Sequence, residues 1–293
     1  GALTGVYYNV GQAMKKTLNR FPADPEINLS VEETRGSLEN LEAVTSGRFY
    51  FGIIQSDVQF KAWNGVNGSP WAGRPQKNLR AVFSLYTEAI NLVVATRRGV
   101  QSPGDLKGKR IAISLGEPGS GDHVNAHEVL DAVGVDPGED LSAVYVSPVD
   151  ALYLFGRNRL DAFFFTAGHP AALFHEVNGG KRRARFVTLN PEDELLKRYP
   201  YYRRTVIPAR YYPDMDNPTD VPTIGVKATV VASAETPDWM VYGLVKTIAE
   251  NIDYLRTQLQ IFEYLTRESA LEDLAAPIHP GALKYYREIG MVP

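Results

Sequence analysis

The chain has 293 residues, 44% hydrophobic content, 22% charged content and a formal net charge of -3. This length predicts two domains of ordinary size, and the small net charge argues against binding to nucleic acid or to acidic membranes. The sequence contains no cysteine, which excludes disulfide bonds, thiolate metal ligands and a thiol nucleophile. No apolar run is long enough to span a bilayer.

Segments typical of strands and helices alternate along the chain, which predicts an α/β fold with mainly parallel sheets. The first elements expected are a helix over 10–20, a strand over 27–33, a helix capped by Ser37, a strand over 50–54 and a helix capped by Ser56 or Asp57. Residues 1–8 have the composition of a loop that follows a strand. We therefore expect a first strand, and a signal peptide, to be missing from the given N-terminus.

The middle of the chain predicts a second set of strands. Two apolar strands over 79–85 and 90–96 are joined by residues 86–89, and further strands are expected over 110–115, 143–146, 162–165 and 185–189. Residues 191–222 contain six prolines and are expected to be irregular, after which 223–232 forms a strand and helices dominate from Asp238. This order predicts one lobe built from 1–88 and 223–293 and another from 89–222.

The loop over 116–121 is the most informative short segment. It lies between the end of a predicted strand and a helix that Asp122 opens, and it is rich in glycine. Backbone N–H groups and the positive end of the helix dipole converge at such a corner, which favours binding of a carboxylate or phosphate. The alternative is that glycine and serine only form a tight turn here.

Several short motifs, in the same order along the whole chain, resemble the TAXI family of solute receptors, which serve tripartite ATP-independent periplasmic (TRAP) transporters. They are Thr4-Gly5-Val6-Tyr7-Tyr8, Arg35-Gly36-Ser37 with Asn40, Phe51-Gly52-Ile53-Ile54-Gln55-Ser56-Asp57, Asp105-Leu106-Lys107-Gly108-Lys109-Arg110 and Ile278-His279-Pro280-Gly281 with Tyr285-Tyr286. The resemblance implies a type II periplasmic binding-protein fold, with two α/β lobes, two crossing strands and a ligand cleft between the lobes. It also implies a periplasmic, monomeric receptor without a cofactor that delivers a glutamate-like or 2-oxoglutarate-like dicarboxylate to the membrane subunits of a TRAP transporter.

The resemblance implies ligand-binding positions on both lobes: Thr4, Gly5, Tyr7, Ser37, Gln55, Ser56 and Asp57 on the first, and Gly119, Ser120, Gly121, Thr166, Gly168 and His169 on the second. Tyr86 is added as an aromatic side chain that could stack on the carbon chain of the ligand. Arg35 stands where the family often has glycine, and it either pairs with a ligand carboxylate or is a surface charge. Glu88 either meets a ligand ammonium group or faces solvent at the hinge.

Each of these positions also has a structural interpretation. Ser37, Ser56 and Asp57 are residue types that cap helices whether or not a ligand is present, and a lone histidine such as His169 is often a structural donor. The competing function is an enzyme on the same two-lobe fold, but the sequence shows no catalytic set of residues. His123 and His127 have the i, i+4 spacing of metal ligands and lack a nearby third ligand. We expect ligand binding to close the two lobes.

Overall fold

The computed structural model describes residues 1, 5–23, 25–115, 120–177, 182–189 and 193–293. The chain divides into two compact units, Gly1–Tyr86 with Lys227–Pro293, and Thr87–Val226. Both points of division fall inside long strands, so the backbone passes from one unit to the next in extended conformation. Among the described helices, none combines the length and the apolar character that a membrane span requires.

The strands are β1 (Phe51–Gln55), β2 (Leu79–Ala95), β3 (Arg110–Ser114), β4 (Ser142–Tyr145), β5 (Ala162–Ala167), β6 (Ala184–Val187), β7 (Arg203–Ile207) and β8 (Val221–Ser233). The α-helices are α1 (Val6–Arg20), α2 (Ser37–Thr45), α3 (Ser56–Asn64), α4 (Gly121–Ala132), α5 (Pro148–Gly156), α6 (Ala172–Val177), α7 (Asp193–Arg198), α8 (Asp238–Glu250), α9 (Ile252–Gln258) and α10 (Pro280–Glu288).

The first unit is built on β1, which pairs antiparallel with β8 from Phe51 opposite Ala232 to Gln55 opposite Ala228. Successive residues of a strand face opposite sides, and Ile53 and Ile54 accordingly belong to two different hydrophobic clusters. One cluster is formed with α1, α8 and α10, and it includes Val10, Met14, Val241, Leu244 and Tyr285. The other is formed with α2 and α3, and it includes Leu41, Val44 and Val58.

The second unit surrounds the C-terminal part of β2, which pairs antiparallel with β5 and with β6. β3 pairs parallel with β4 and β5, and β7 pairs antiparallel with β8. Its core is rich in aromatic side chains, including Phe155, Phe163, Phe174 and Phe186. The expectation of mainly parallel sheets was wrong, because the long strands β2 and β8 pair antiparallel with β5, β6, β7 and β1.

Three predicted elements differ from the structure. Residues 79–95 form one continuous strand rather than two, since residues 86–89 keep extended backbone. The region 191–222 contains α7 and β7 in spite of its prolines. Residues 27–33 are not a strand at all, because none of the described strands pairs with them. A run of alternating apolar residues becomes a strand only when a neighbour satisfies its backbone N–H and C=O groups.

Candidate ligand-binding site

The residues implied as ligand contacts fall into two groups, one in each unit. Thr4 and Gly119 lie outside the described residues, as does the loop from 116 to 119. The remaining positions lie at helix starts or strand ends, and each group is described within its own unit.

In the second unit, Ser120 caps α4, so the helix begins at Gly121, one residue before the expected start at Asp122. Its Oγ accepts a hydrogen bond from the backbone N–H of His123 at 3.3 Å, and it lies 3.2 Å from Oγ of Ser114 at the end of β3. Gly121 is the buried first residue of the helix. The N-terminus of α4 therefore stands at the carboxyl end of β3, which is the geometry that favours an anion near backbone N–H groups.

Asp122 fastens this corner, a role that the sequence analysis did not identify. One carboxylate oxygen accepts from the backbone N–H of Leu115 at 2.9 Å, and the other accepts from the backbone N–H of Thr166 at 2.7 Å. Burial raises the pKa of Asp122 to about 6, and the hydrogen bonds to its carboxylate oppose that shift. Asp122 thereby joins the start of α4 to the ends of β3 and β5.

Replacing Asp122 by Asn is expected to destabilise the protein by about 1–3 kcal/mol, the usual penalty for an unsatisfied buried donor. Both carboxylate oxygens accept backbone N–H groups, whereas an amide offers only one accepting oxygen and turns an NH₂ group toward the other donor. Urea unfolding of Asp122→Asn measures the loss. Asp150→Asn is the matched control, because Asp150 is exposed in the first turn of α5 and should change stability by less than about 0.5 kcal/mol. Equal effects of the two substitutions would contradict the role given to Asp122.

The side chain of Thr166 is used inside the second unit. Its Oγ1 donates to Oδ1 of Asn125 at 3.2 Å, and Nδ2 of Asn125 donates to the hydroxyl of Tyr202 at 3.0 Å. Tyr202 and Tyr201 both donate to the carboxylate of Glu128. This network holds α4 against β5, so the hydroxyl of Thr166 supports the corner through Asn125.

His169 follows the buried Gly168 at the end of β5 and lies among aromatic rings. Its Nδ1 is 2.6 Å from the hydroxyl of Tyr212, and that hydroxyl accepts the backbone N–H of Ala171 at 2.8 Å. The phenolic hydrogen can then be donated to Nδ1, and in that arrangement the ring proton lies on Nε2. The ring of Phe174 stacks on the imidazole at a centroid distance of 5.7 Å.

The imidazole of His169 is an uncharged donor. Burial lowers its pKa to about 3, so the ring is neutral at physiological pH. Its Nε2 is buried and has no hydrogen-bond partner in the part of the chain that the structure describes. A buried donor without a partner is unusual, and it is the group in the second unit best suited to receive a ligand oxygen.

In the first unit, Ser37 is the first residue of α2 and Gly36 is the cap, with a φ of 109°. Oγ of Ser37 accepts the backbone N–H of Gln55 at 3.2 Å and lies 3.4 Å from the hydroxyl of Tyr7. Gly5 stands directly before α1, where its carbonyl accepts from the backbone N–H of Asn9 at 3.4 Å. Ser37 therefore lies close to both Tyr7 and Gln55.

The expectation that Ser56 or Asp57 caps α3 was wrong, because Gln55 occupies the cap position. Oγ of Ser56 instead accepts the backbone N–H of Lys227 at 3.0 Å, which ties α3 to β8. Asp57 is completely buried, and its carboxylate lies 3.2 Å from Nζ of Lys61. The hydroxyl of Ser56 thus bonds to a neighbouring strand, and the carboxylate of Asp57 pairs with a lysine one turn further along the helix.

The remaining candidate residues are buried in the protein or in contact with other side chains. Tyr86 is buried in the core of the first unit with its ring centroid 6.3 Å from that of Phe262. Arg35 is exposed and pairs with Glu39 at 3.2 Å, while Glu88 is buried rather than solvent-facing. The rings of His123 and His127 are in contact, yet no group of three possible metal ligands occurs among the described residues.

Comparison with known proteins identifies the family and the fold of this chain. A family model described as the NMT1-like family matches residues 1–290. Among solved structures, the periplasmic aliphatic sulphonate binding protein SsuA from Escherichia coli is 17% identical with a TM-score of 0.50, over 95% of this chain and 75% of that one. MatC from Rhodopseudomonas palustris with bound malate is 15% identical with a TM-score of 0.56, over 96% and 90%. A protein from Bordetella bronchiseptica RB50 is 14% identical with a TM-score of 0.56, over 99% and 96%. The fold is thus the two-lobe α/β fold of periplasmic binding proteins.

Proposed function

We propose that this protein is an extracytoplasmic receptor for a small organic anion, because the chain belongs to the NMT1-like family and has the fold of periplasmic substrate-binding proteins. The likeness of nearly the whole chain to such proteins is the observation that carries the proposal. We further propose that the ligand is a glutamate-like or 2-oxoglutarate-like dicarboxylate, and that the receptor delivers it to a TRAP-type transporter of the TAXI class. The motifs from Thr4 to Tyr286 support this finer assignment.

The second unit contributes two kinds of donor to the proposed site. The N-terminus of α4 at Ser120 and Gly121 favours negative charge through its dipole, and Nε2 of His169 supplies an uncharged N–H group. Neutral donors in a dry pocket bind a carboxylate without requiring a fixed positive side chain. In the first unit, Tyr7 and Gln55 supply side chains that can hydrogen-bond to a ligand.

The alternative proposal is an enzyme of the same fold that acts on a small anionic metabolite. Its central requirement is an acid–base or nucleophilic group, and His169 is poorly suited because burial keeps its pKa near 3. Asp122 is also poorly suited, since both of its oxygens accept backbone N–H groups. These observations favour binding without chemical change.

The experiment that tests the proposal measures thermal unfolding of the protein with 2-oxoglutarate, glutamate, malate and ethanesulfonate in separate samples. A ligand that binds only the native state at 100 times its Kd stabilises it by about 2.7 kcal/mol, so a true ligand raises the melting temperature clearly. Proton NMR of the same mixtures distinguishes receptor from enzyme, because a receptor returns the compound unchanged. Stabilisation by ethanesulfonate alone would overturn the dicarboxylate assignment, and loss of the compound with time would overturn the receptor function.

His169→Asn tests the contribution of the imidazole. Loss of a hydrogen bond to a charged group is worth about 1.5–3 kcal/mol, so the Kd for the stabilising ligand should rise at least about tenfold. His175→Asn is the matched control, because His175 lies on α6 near the same tyrosine but is exposed, and its Kd should be unchanged. Calorimetric titration at pH 7.5 measures both. An unchanged Kd for His169→Asn would remove this residue from the site.

A further inference from the structure

One end of the sheet in the second unit carries a concentration of basic side chains. The C-terminal end of β2 lies beside the first residues of β5 and β6, and β3 begins next to β5. The segments 96–101, 107–110, 157–161 and 182–185 adjoin these strand ends and therefore lie together; we call them the basic end. They hold ten of the 31 arginine and lysine residues of the chain and a single acidic residue, Asp161.

The buried carboxylate of Asp161 is shared by three arginines of the basic end. Nε of Arg98 and Nη2 of Arg110 each lie 2.7 Å from its Oδ1, and Nη2 of Arg182 lies 3.6 Å from the same atom. One negative charge thus faces three positive charges. Arg182 also donates to two backbone carbonyl oxygens. The guanidinium groups of this cluster are therefore fixed in place and carry excess positive charge.

The acidic residues that flank the basic end leave most of its charge uncompensated. Asp140 pairs with Lys107 at 2.8 Å, and Asp216 pairs with Arg183. Asp105 accepts the backbone N–H groups of residues 101 and 102. Three exposed arginines have no acidic partner in the part of the chain that the structure describes: Arg97, Arg157 and Arg159. The basic end therefore presents a positive surface on a chain whose net charge is -3.

Exposed apolar side chains of α5 continue this surface. Val149 is 75% exposed and Tyr153 is 60% exposed. Arg157 directly follows the helix, and its guanidinium carbon lies 5.4 Å from the centroid of the Tyr153 ring. A spacing of four residues places these three side chains on one face of the helix. Tyrosine and arginine are the residue types most enriched where proteins bind one another.

We propose that the basic end, together with this face of α5, is a docking surface for an acidic segment of a partner protein. Carboxylates of the segment would pair with the exposed guanidinium groups, and an apolar side chain would cover Tyr153. A short acidic segment fits better than an anionic membrane. Because the basic end is positive and the whole chain is not, the remainder of the chain is acidic and is repelled by an extended anionic surface.

The docking surface lies away from the ligand-binding residues of the same unit. Ser114 and Thr166 stand at the C-terminal ends of β3 and β5, whereas the basic end adjoins the N-terminal ends of these strands. A bound partner therefore leaves the corner at Ser120 unoccupied. In a receptor of the proposed function, the membrane subunits of the transporter are the source of the acidic segment. That assignment rests on the proposed function, whereas the surface itself does not.

The test measures the fluorescence anisotropy of a labelled peptide of glutamate, aspartate, leucine and alanine as the full chain is added at low ionic strength. The variant Arg97→Gln/Arg157→Gln/Arg159→Gln removes three exposed guanidinium groups and leaves the cluster around Asp161 intact, so it should fold as the parent does. An exposed ion pair contributes modestly, and loss of three should raise the Kd for the peptide about tenfold. Binding to the parent should weaken as salt is added.

The control variant is Lys16→Gln/Arg20→Gln/Lys284→Gln, which removes the same charge from exposed positions of the first unit and should leave the Kd unchanged. An equal Kd for the parent and the triple arginine variant would overturn the proposal, as would a Kd above about 1 mM for the parent. Cosedimentation of the parent with phosphatidylglycerol–phosphatidylcholine vesicles that the triple arginine variant loses would assign the surface to a membrane and overturn it too. None of the substituted residues belongs to the ligand-binding corner, so a failure here is separate from a failure to bind dicarboxylates.

Discussion

Alanine at position 281 is expected to destabilise the first unit by roughly 3 kcal/mol or more. Gly281 lies in the first turn of α10, where a Cβ would stand 2.2 Å from the backbone carbonyl oxygen of Asp238 at the start of α8. The neighbouring atom is backbone, so it cannot move aside as a side chain would. Relief of the contact requires α10 to shift away from α8, and both helices contribute to the hydrophobic core of the unit.

The control for Gly281→Ala is Gly156→Ala. Gly156 ends α5, and a Cβ there would have no neighbour within 4 Å. Because alanine favours the helix more than glycine does, this substitution should be neutral or stabilising by about 0.5–1 kcal/mol. Urea unfolding of both variants and the parent protein measures the difference. A Gly281→Ala protein as stable as the parent would contradict the packing of α10 on α8.

Gly281 belongs to the motif Ile278-His279-Pro280-Gly281, which resembles the TAXI family. His279 and Gly281 of this motif both have structural roles in the fold. His279 is completely buried and caps α10, with its Nδ1 accepting the backbone N–H of Gly281 at 3.1 Å. Its backbone N–H donates to the carbonyl of Ala81 at 2.8 Å. The segment from Ile278 to Gly281 thus fastens the C-terminal helix to β2.

Strands β3, β5 and β8 could be predicted from the sequence because each is an apolar run between turn residues, whereas β7 lies in a proline-containing region that was expected to be irregular. β3, β5 and β8 lie within two or three residues of their expected bounds. The strand expected over 27–33 shows the limit of this signal, since alternation reports which side chains are buried and says nothing about a backbone partner. The expectation that Ser37 and Ser56 cap helices was wrong for a related reason. Their hydroxyls bond to Gln55 and Lys227, which are remote in sequence and cannot be read from local spacing.

The candidate site was predictable only at the level of its backbone. The start of α4 near Ser120 follows from glycine, serine and the helical pattern after them. The hydrogen bonds that fix its geometry join residues far apart, with Asp122 and Thr166 separated by 44 positions and His169 and Tyr212 by 43. No periodicity connects such pairs, so the neutral state of His169 becomes apparent only in the folded chain.

His169 should make the protein more sensitive to acid than it would otherwise be. Its folded pKa of about 3 lies below the ordinary value of 6.5, so between these values the unfolded chain binds a proton that the folded chain does not. The stability contributed by the neutral imidazole is complete above pH 6.5 and is lost as the pH falls, at up to about 1.4 kcal/mol per pH unit. His123, His127 and His279 also have lowered pKa values, so acid weakens the fold through them in the same direction.

The contribution of His169 is isolated by comparing the parent protein with His169→Asn at two pH values. The variant loses packing and the bond to Tyr212, so it should be less stable than the parent at pH 8. Because asparagine does not titrate, this deficit should shrink by about 2 kcal/mol at pH 5. The other four histidines are common to both proteins and cancel in the comparison. A deficit of equal size at pH 8 and pH 5 would mean that His169 ionises freely in the folded protein, and its assignment as a neutral donor to a ligand oxygen would fail with it.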